Sequence, residues 1–169
     1  SDLRFGAFSV AAAMGGAVAT TSVDLAKRSL PKTTEQFEVN HLNLAPQKII
    51  VMDVFDYFKY ASRKGLSYDM IILDPPSFAR NKKKVFSVAK NYGELVKDSI
   101  DILTDKGTLI ASTNAANLSL AKYQKMVITA LQEKNVRYKI TYQLPADFQV
   151  NPNFPEGNYL KVLFIEIEK

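Results

Sequence analysis

Residues Tyr68 to Phe78 read YDMIILDPPSF, and no other segment of the chain is as informative. The first part, Tyr68–Leu73, is a short apolar run of the kind that forms a buried β-strand. The run stops at Asp74, and Pro75 and Pro76 follow directly. Proline fixes φ and has no N–H to donate, so it cannot continue a central strand. The segment therefore predicts a buried strand that ends in a carboxylate and an extended turn.

The same pattern of an apolar run that stops at a polar residue occurs elsewhere in the chain. The predicted strands are Ala17–Val23 before Asp24, Lys48–Met52 before Asp53, and Thr108–Thr113 before Asn114. Helical spacing is found in five segments that precede, separate or follow these strands: Phe8–Met14, Ala26–Leu42, Val54–Ser62, Phe86–Leu103 (with Gly107 opening the next strand) and Leu118–Leu131. Alternating strands and helices predict an α/β fold with a mostly parallel sheet.

The C-terminal third of the chain has a different pattern. Arg137–Tyr142 and Tyr159–Ile167 are strand-like, and the segment between them is loop-like, with three prolines. Parallel neighbours need a long crossover, which is usually a helix. Since no helical pattern lies between these two runs, we expect an antiparallel hairpin at the edge of the sheet.

The four polar residues at the strand ends are candidate ligand groups. In an open α/β sheet, ligands bind outside the carboxyl ends of the strands. Asp24 is suited to ribose hydroxyls, and Asp53 is suited to an adenine amino group with Val54 or Phe55 near the ring. Helix capping is the alternative for each of these residues, since Asp and Asn also favour N-caps.

Asp74 and the residues after it form the most specific candidate site. Prolines leave neighbouring carbonyls unpaired by the sheet and able to face a ligand. Phe78 offers a flat ring on which a base can stack. A purely structural turn is the competing interpretation.

Composition limits the classes of function that remain. The chain has 169 residues, no cysteine and one histidine, which excludes disulfides, thiolate catalysis and nearly every zinc site. No apolar run approaches the roughly 20 residues of a membrane span, and no leader is evident. We expect one cytoplasmic domain over residues 1–169, with no membrane and no metal. The net charge of +5 favours a polyanionic partner without identifying it.

The segment from Asp74 to Phe78 resembles motif IV of class I methyltransferases, whose usual form is Asp/Asn-Pro-Pro-aromatic. Together with Asp74–Lys84, the stretches GAFS from Gly6 and FPEGNYLK from Phe154 are similar to the bacterial 23S ribosomal RNA large-subunit methyltransferase family over nearly the whole chain. Members of that family modify cytosine C5 or guanine N7.

The resemblance implies a Rossmann-like fold with a seven-stranded type of sheet and S-adenosylmethionine as cofactor. It implies that Gly6 lies in the glycine turn near the cofactor, that Asp24 binds the ribose, and that Asp53 binds the adenine. Asp74 would bind the methionine end of the cofactor, and Pro75, Pro76 and Phe78 would shape the pocket for the target base.

The sequence departs from the family pattern at three points. Only five residues precede Gly6, so the first strand is expected to be truncated or interrupted. Family members also carry N-terminal RNA-binding and linking domains, which we expect to be absent here. The cytosine-C5 enzymes also need a cysteine after the strand at Thr108–Thr113, where this chain has Asn114 and Asn117.

The missing cysteine favours guanine N7, a lone pair that needs only orientation, with Asn114 holding the purine edge. The alternatives are methylation of an exocyclic amino group of adenine or guanine, and an inactive RNA-binding module. For RNA contacts we expect Arg80, Lys82, Lys83 and Lys84, which follow the motif directly; a solvated loop is the alternative.

Overall fold

The structure is a computed structural model that describes residues 14–16, 19–24, 35, 38–39, 41, 47–76, 78–80, 85–143 and 160–169. The chain divides into two compact units, Ser1–Tyr60 and Ala61–Lys169. The predicted helices Phe8–Met14 and Ala26–Leu42 lie mostly outside the described residues, and the residues before Gly6, where we expected a truncated or interrupted first strand, lie outside them altogether. Met14 is helical and Gly16 follows with a φ of 97°, as expected for a glycine that ends a helix.

In the first unit, two short strands pair in parallel, as predicted. Strand β1 is Thr20–Asp24 and strand β2 is Gln47–Val51, with register from Thr20 opposite Gln47 to Asp24 opposite Val51. Helix α1, Val54–Arg63, follows β2 and continues into the second unit. Phe55, Phe58 and Ala61 are buried at helical spacing, which explains why the apolar pattern located this helix.

A four-stranded mixed sheet forms the second unit. Strand β3 is Tyr68–Leu73, β6 is Leu103–Thr113, β7 is Arg137–Gln143 and β8 is Lys161–Glu168, in the order β3-β6-β8-β7. Strands β3 and β6 are parallel, whereas β8 is antiparallel to both β6 and β7. The predicted antiparallel edge hairpin is confirmed, with β7 as the edge strand and β8 beside β6.

A small hairpin follows the prolines and was not predicted. Strand β4, Phe78–Arg80, pairs antiparallel with β5, Val85–Ser87. Helix α2 is Val88–Ile102, so the prediction that it begins at Phe86 was wrong by two residues. The cause is local: Phe86 pairs with Ala79 across the hairpin, and Ser87 has an extended backbone whose N–H donates to Asn91 Oδ1 at 3.0 Å.

Strand β6 begins at Leu103 rather than at Gly107, where we expected it. Tyr68 pairs with Leu103 and Met70 with Thr108, so residues 104–107 form a bulge opposite Asp69 alone. A Cβ at Gly107 would come within 2.7 Å of Leu103 Cγ and 2.8 Å of the Thr104 carbonyl oxygen. Only glycine fits this tight bulge without a shift of the backbone.

Helices α2 and α3 carry the side chains that fill the core of the second unit. Helix α3, Leu120–Glu133, was predicted two residues early, and its expected apolar stripe of Tyr123, Val127, Ala130 and Leu131 is buried. The inward residues of the sheet include Leu109, Leu163 and Ile165, which are fully buried. Within the described residues, no helix is long and apolar enough to cross a membrane.

Candidate active site

Three polar residues lie at one edge of the four-stranded sheet, namely the edge at which the parallel strands β3 and β6 end. Asp74 follows the last residue of β3, and Asn114 follows the last residue of β6. Because β8 is antiparallel, its first residue Lys161 lies opposite Thr113 at the same edge. This edge is the position at which ligands bind to open α/β sheets.

The Asp74 carboxylate is exposed and has a hydroxyl group beside it. Ser112 Oγ, which is buried, lies 3.2 Å from Asp74 Oδ1 and 3.0 Å from the Leu73 carbonyl oxygen. The Leu73 carbonyl next to the proline motif thus accepts from a side chain of β6, and the expectation that carbonyls of that turn face a ligand stays a prediction. Ser112 comes from the neighbouring strand β6, so the fold holds Asp74 from across the sheet.

Two buried tyrosines contact each other, and one of them contacts Ser112, the residue beside Asp74. The Tyr92 hydroxyl donates to the Ser112 carbonyl oxygen at 2.9 Å, and the Tyr123 hydroxyl lies 3.4 Å from that of Tyr92. Their rings meet edge to face with centroids 5.2 Å apart. Burial is the main cause that raises the pKa of both hydroxyls, and the nearby charge of Asp74 raises each pKa further. Both tyrosines are therefore neutral at physiological pH.

Asn114 has a polar atom that the fold does not satisfy. Its Oδ1 is buried and accepts no hydrogen bond in the part of the chain that the structure describes. The helix-cap interpretation of Asn114 is wrong, because the N-cap of α3 is Ser119, whose Oγ accepts from the Lys122 N–H at 3.2 Å. A buried, unsatisfied acceptor costs roughly 1–3 kcal/mol, which a ligand N–H could recover.

Lys161 is a site residue that our sequence analysis missed. It is only 6% exposed, and its Nζ donates to the Ala115 carbonyl oxygen at 2.9 Å. Burial lowers the pKa of this amine. A signal was present in the alternating pattern of β8, in which Lys161 occupies the same inward-facing series as Leu163 and Ile165.

In the first unit, Asp53 is the N-cap of α1. Its Oδ1 accepts from the Phe55 N–H at 2.9 Å and the Asp56 N–H at 3.2 Å, and its carbonyl accepts from Tyr57. The capping interpretation is confirmed, while the role in binding adenine stays a prediction. Phe55 is buried and Val54 is half-buried, so Val54 has the more accessible surface for a ring.

Four more predicted residues have a described environment. Pro75 is half-buried and Pro76 is exposed, directly after the strand that ends at Leu73. Arg80 is exposed at the end of β4, and Asn117 is exposed in the turn before α3. The roles of these residues toward a base or a phosphate stay predictions.

The other predicted residues lie wholly or partly outside the described part of the chain. Asp24 is the last residue of β1 and Phe78 the first of β4, but their side chains are not described. Gly6 and the run Lys82–Lys84 lie outside the described residues altogether. Their proposed contacts with the cofactor and with RNA therefore depend on the sequence alone.

Comparison with known proteins identifies the family. The family model for S-adenosylmethionine-dependent methyltransferases matches residues 4–157. The chain belongs to this family. Its cofactor is S-adenosylmethionine, and the prediction of a Rossmann-like fold is confirmed.

Relatives of this methyltransferase chain carry names that refer to ribosomal RNA. A Bacillus subtilis (strain 168) protein named as a candidate ribosomal RNA large subunit methyltransferase, YwbD, is 55% identical over 95% of the chain and 41% of its own length. Ribosomal RNA large subunit methyltransferase I of Serratia proteamaculans (strain 568) is 30% identical over 92% of the chain and 40% of its own length. The chain thus spans about two fifths of the length of these relatives.

Solved structures show the same fold. SMU.776, named as a candidate methyltransferase, was crystallised with SAH. It is 51% identical to this chain, and the match has a TM-score of 0.85 and covers 98% of this chain and 43% of that one. An S-adenosylmethionine-dependent methyltransferase from Agrobacterium tumefaciens has a TM-score of 0.72 at 21% identity, over 98% of this chain and 53% of that one, and supports the fold alone.

Proposed function

We propose that the protein transfers a methyl group from S-adenosylmethionine to a base of large-subunit (23S) ribosomal RNA, with guanine N7 as the favoured atom. The observation that carries this proposal is the buried Oδ1 of Asn114, which accepts no hydrogen bond from the described residues and lies on the same sheet edge as the exposed Asp74 carboxylate. The names of the relatives support large-subunit ribosomal RNA as the substrate. The proposal includes residues 1–169 as the catalytic part and a location in the cytoplasm.

The chemistry of Asp74 suits the methionine end of the cofactor. Asp74 is exposed, and within the described residues its carboxylate has Ser112 as its only hydrogen-bond partner, which leaves acceptor capacity for the ammonium group of the methionine end. Asp53 and Asp24 would serve the adenine and the ribose, and Gly6 would lie beside them. When bound, the cofactor supplies an electrophilic methyl group on a sulfonium ion.

The chain's own residues would act by positioning. The Tyr92 hydroxyl donates to the Ser112 carbonyl oxygen, and the Ser112 hydroxyl lies beside the Asp74 carboxylate. These contacts would hold Asp74 at the edge of the sheet. Asn114 Oδ1 can accept from an N–H on the Watson–Crick edge of guanine, which would fix the purine with N7 directed at the methyl group. Orientation of two reactants is the main requirement for such a transfer, since N7 is already nucleophilic.

Cytosine C5 does not fit the sequence. That reaction proceeds through a covalent adduct on a nucleophile, and the chain of 169 residues contains no cysteine.

An exocyclic amino group is the second candidate. The buried Oδ1 of Asn114 favours it too, because this oxygen would accept equally well from an amino N–H of adenine or guanine.

The test uses the intact protein, S-adenosylmethionine and 23S RNA that lacks modifications. N7-methylguanosine carries a fixed positive charge that makes its glycosidic bond labile, so reduction and aniline treatment should cleave the product RNA at one position. RNA that contains 5-fluorocytosine should form no trapped complex with the protein. Methyl incorporation without a cleavage position would replace guanine N7 by the amino-group reaction. RNA binding with neither cofactor affinity nor methyl transfer would identify an inactive module.

A further inference from the structure

Lys161 occupies a position at which the fold itself would favour an apolar residue. The inward-facing residues that follow it on β8 are Leu163, Ile165 and Ile167, each no more than 1% exposed. Moving an ammonium group from water into such surroundings is costly unless it gains hydrogen bonds. The lowered pKa of Lys161 reflects this cost. A chain that keeps a lysine here needs a reason beyond packing.

The contact that Lys161 makes indicates the reason. Its Nζ donates to the carbonyl oxygen of Ala115, and the Ala115 N–H donates to Thr113 Oγ1 at 3.2 Å. Thr113 and Ala115 are both fully buried. Both backbone polar groups of Ala115 are therefore held by side chains, one from β6 and one from β8. Asn114 lies between Thr113 and Ala115, so its backbone is held from both sides.

We propose that Lys161 is a positioning residue that holds the turn Thr113–Ala115, so that the Asn114 amide keeps the orientation needed to accept the target base. This inference rests on the proposed function, in which Asn114 contacts the base. Lys161 contributes through the hydrogen bond to Ala115 rather than by contact with the reacting atoms. The antiparallel direction of β8 makes this possible, because it brings the first residue of the strand to the edge at which β3 and β6 end.

The first test compares three variants of the intact protein in single-turnover methyl transfer to 23S RNA. Lys161→Met keeps an unbranched side chain one atom shorter, as long as that of Gln, and removes the donor, and we expect the rate constant to fall on the order of 10- to 100-fold. Affinity for S-adenosylmethionine and the thermal midpoint should stay close to wild type. Lys161→Gln retains an N–H donor and should keep more of the rate than Lys161→Met. The matched control is Lys139→Met, an exposed lysine near the other end of the sheet, which should leave the rate unchanged.

The second test asks whether Lys161 acts through Asn114. In an Asn114→Ala background, Lys161→Met should change the rate constant by less than about twofold, because two residues that act through one contact are not additive. An equal fall in both backgrounds would overturn the inference, and so would a Gln variant no faster than the Met variant.

If the wild-type protein itself transfers no methyl group, the proposed function fails and the inference fails with it. An active wild type with an equally active Lys161→Met, by contrast, overturns the role of Lys161 alone. If Lys161→Met does not fold, the comparison of Lys161→Gln in the two backgrounds decides in the same way.

Discussion

The Asp53 carboxylate has two oxygens, and Oδ1 receives both backbone N–H groups at the start of α1. A side chain that caps a helix can still present its second oxygen to a ligand. The capping and binding interpretations of Asp53 are thus compatible, and replacement by alanine alone cannot separate them. Serine can, because it is an N-cap residue about as good as aspartate but has no carboxylate.

We expect Asp53→Ala to lower the free energy of unfolding by about 1 kcal/mol through loss of the cap, and Asp53→Ser to leave it nearly unchanged. Both variants should weaken the binding of S-adenosylmethionine by about 1–3 kcal/mol, because the adenine amino group loses its acceptor. Urea denaturation measures the first effect and calorimetric titration the second. A serine variant with wild-type affinity would leave Asp53 with a capping role only.

For single residues, the sequence could identify candidates for the site but not the contacts that they make in the folded chain. Asn114 was predicted as a site residue from its place after a strand, yet its unsatisfied oxygen is a property of the folded environment. The capping alternative could not be dismissed without knowing that α3 begins only after Ser119. Lys161 was missed because the alternating pattern of β8 places it in the inward-facing series but does not show that it pairs with Thr113 at the end of β6.

Secondary structure elements were predictable where one face carried a strong apolar period. Helix α1 and the apolar stripe of α3 were found this way, since period and burial agree in each. Strand β3 was located as a continuous apolar run instead, and the prediction that it is a buried strand was wrong, because only Leu73 of its six residues is buried. The hairpin β4–β5 was missed because each strand has only three residues, too few to show a period. The start of β6 was misplaced because its bulge is defined by pairing with Asp69 rather than by local sequence.

Helices α2 and α3 meet through Tyr92 and Tyr123, and this contact makes stability dependent on pH. Both hydroxyls have a pKa raised above that of an ordinary tyrosine, near 10. The unfolded chain therefore loses these protons first as pH rises. The stability that the neutral pair contributes is fully present below about pH 10 and is lost as pH rises toward the folded-state pKa values.

We expect the free energy of unfolding above about pH 10 to fall by about 1.4 kcal/mol per pH unit for each tyrosine. Tyr123→Phe should remove one such contribution, so its slope should be shallower than that of wild type by that amount. Below about pH 9 the two proteins should differ by a constant amount, because these tyrosines stay protonated in both the folded and the unfolded chain. Urea denaturation across this range checks the slopes, and titration of Lys161 cancels because both proteins contain it. Equal slopes would mean that Tyr123 ionises alike in the folded and unfolded chains.

The charge of the whole molecule sets how it meets RNA. The excess of five positive charges favours RNA of any sequence and therefore cannot by itself locate the contact surface. Exposed lysines also occur at Lys106, Lys139 and Lys169, near the end of the four-stranded sheet opposite to the edge that carries Asp74 and Asn114. Lys82, Lys83 and Lys84 connect Arg80 to Val85, the end pair of the hairpin that follows the motif. Two sets of three lysines thus carry equal charge in different places.

These two sets allow local contact to be separated from net charge. Replacing Lys82, Lys83 and Lys84 by alanine should weaken RNA binding and flatten the dependence of log K on log salt by roughly 0.7–0.9 for each phosphate that the protein no longer neutralises, because fewer counterions are released. Replacing Lys106, Lys139 and Lys169 by alanine lowers the net charge equally and should leave the salt slope close to wild type. Filter binding of 23S RNA over a range of salt concentrations measures both slopes, and affinity for S-adenosylmethionine should be the same in the two variants. If the two variants flatten the slope equally, RNA responds to the total charge and the run after the motif is a solvated loop. If only the first variant does, phosphates contact the chain beside the residues that would hold the target base, and RNA affinity and base selection share one surface.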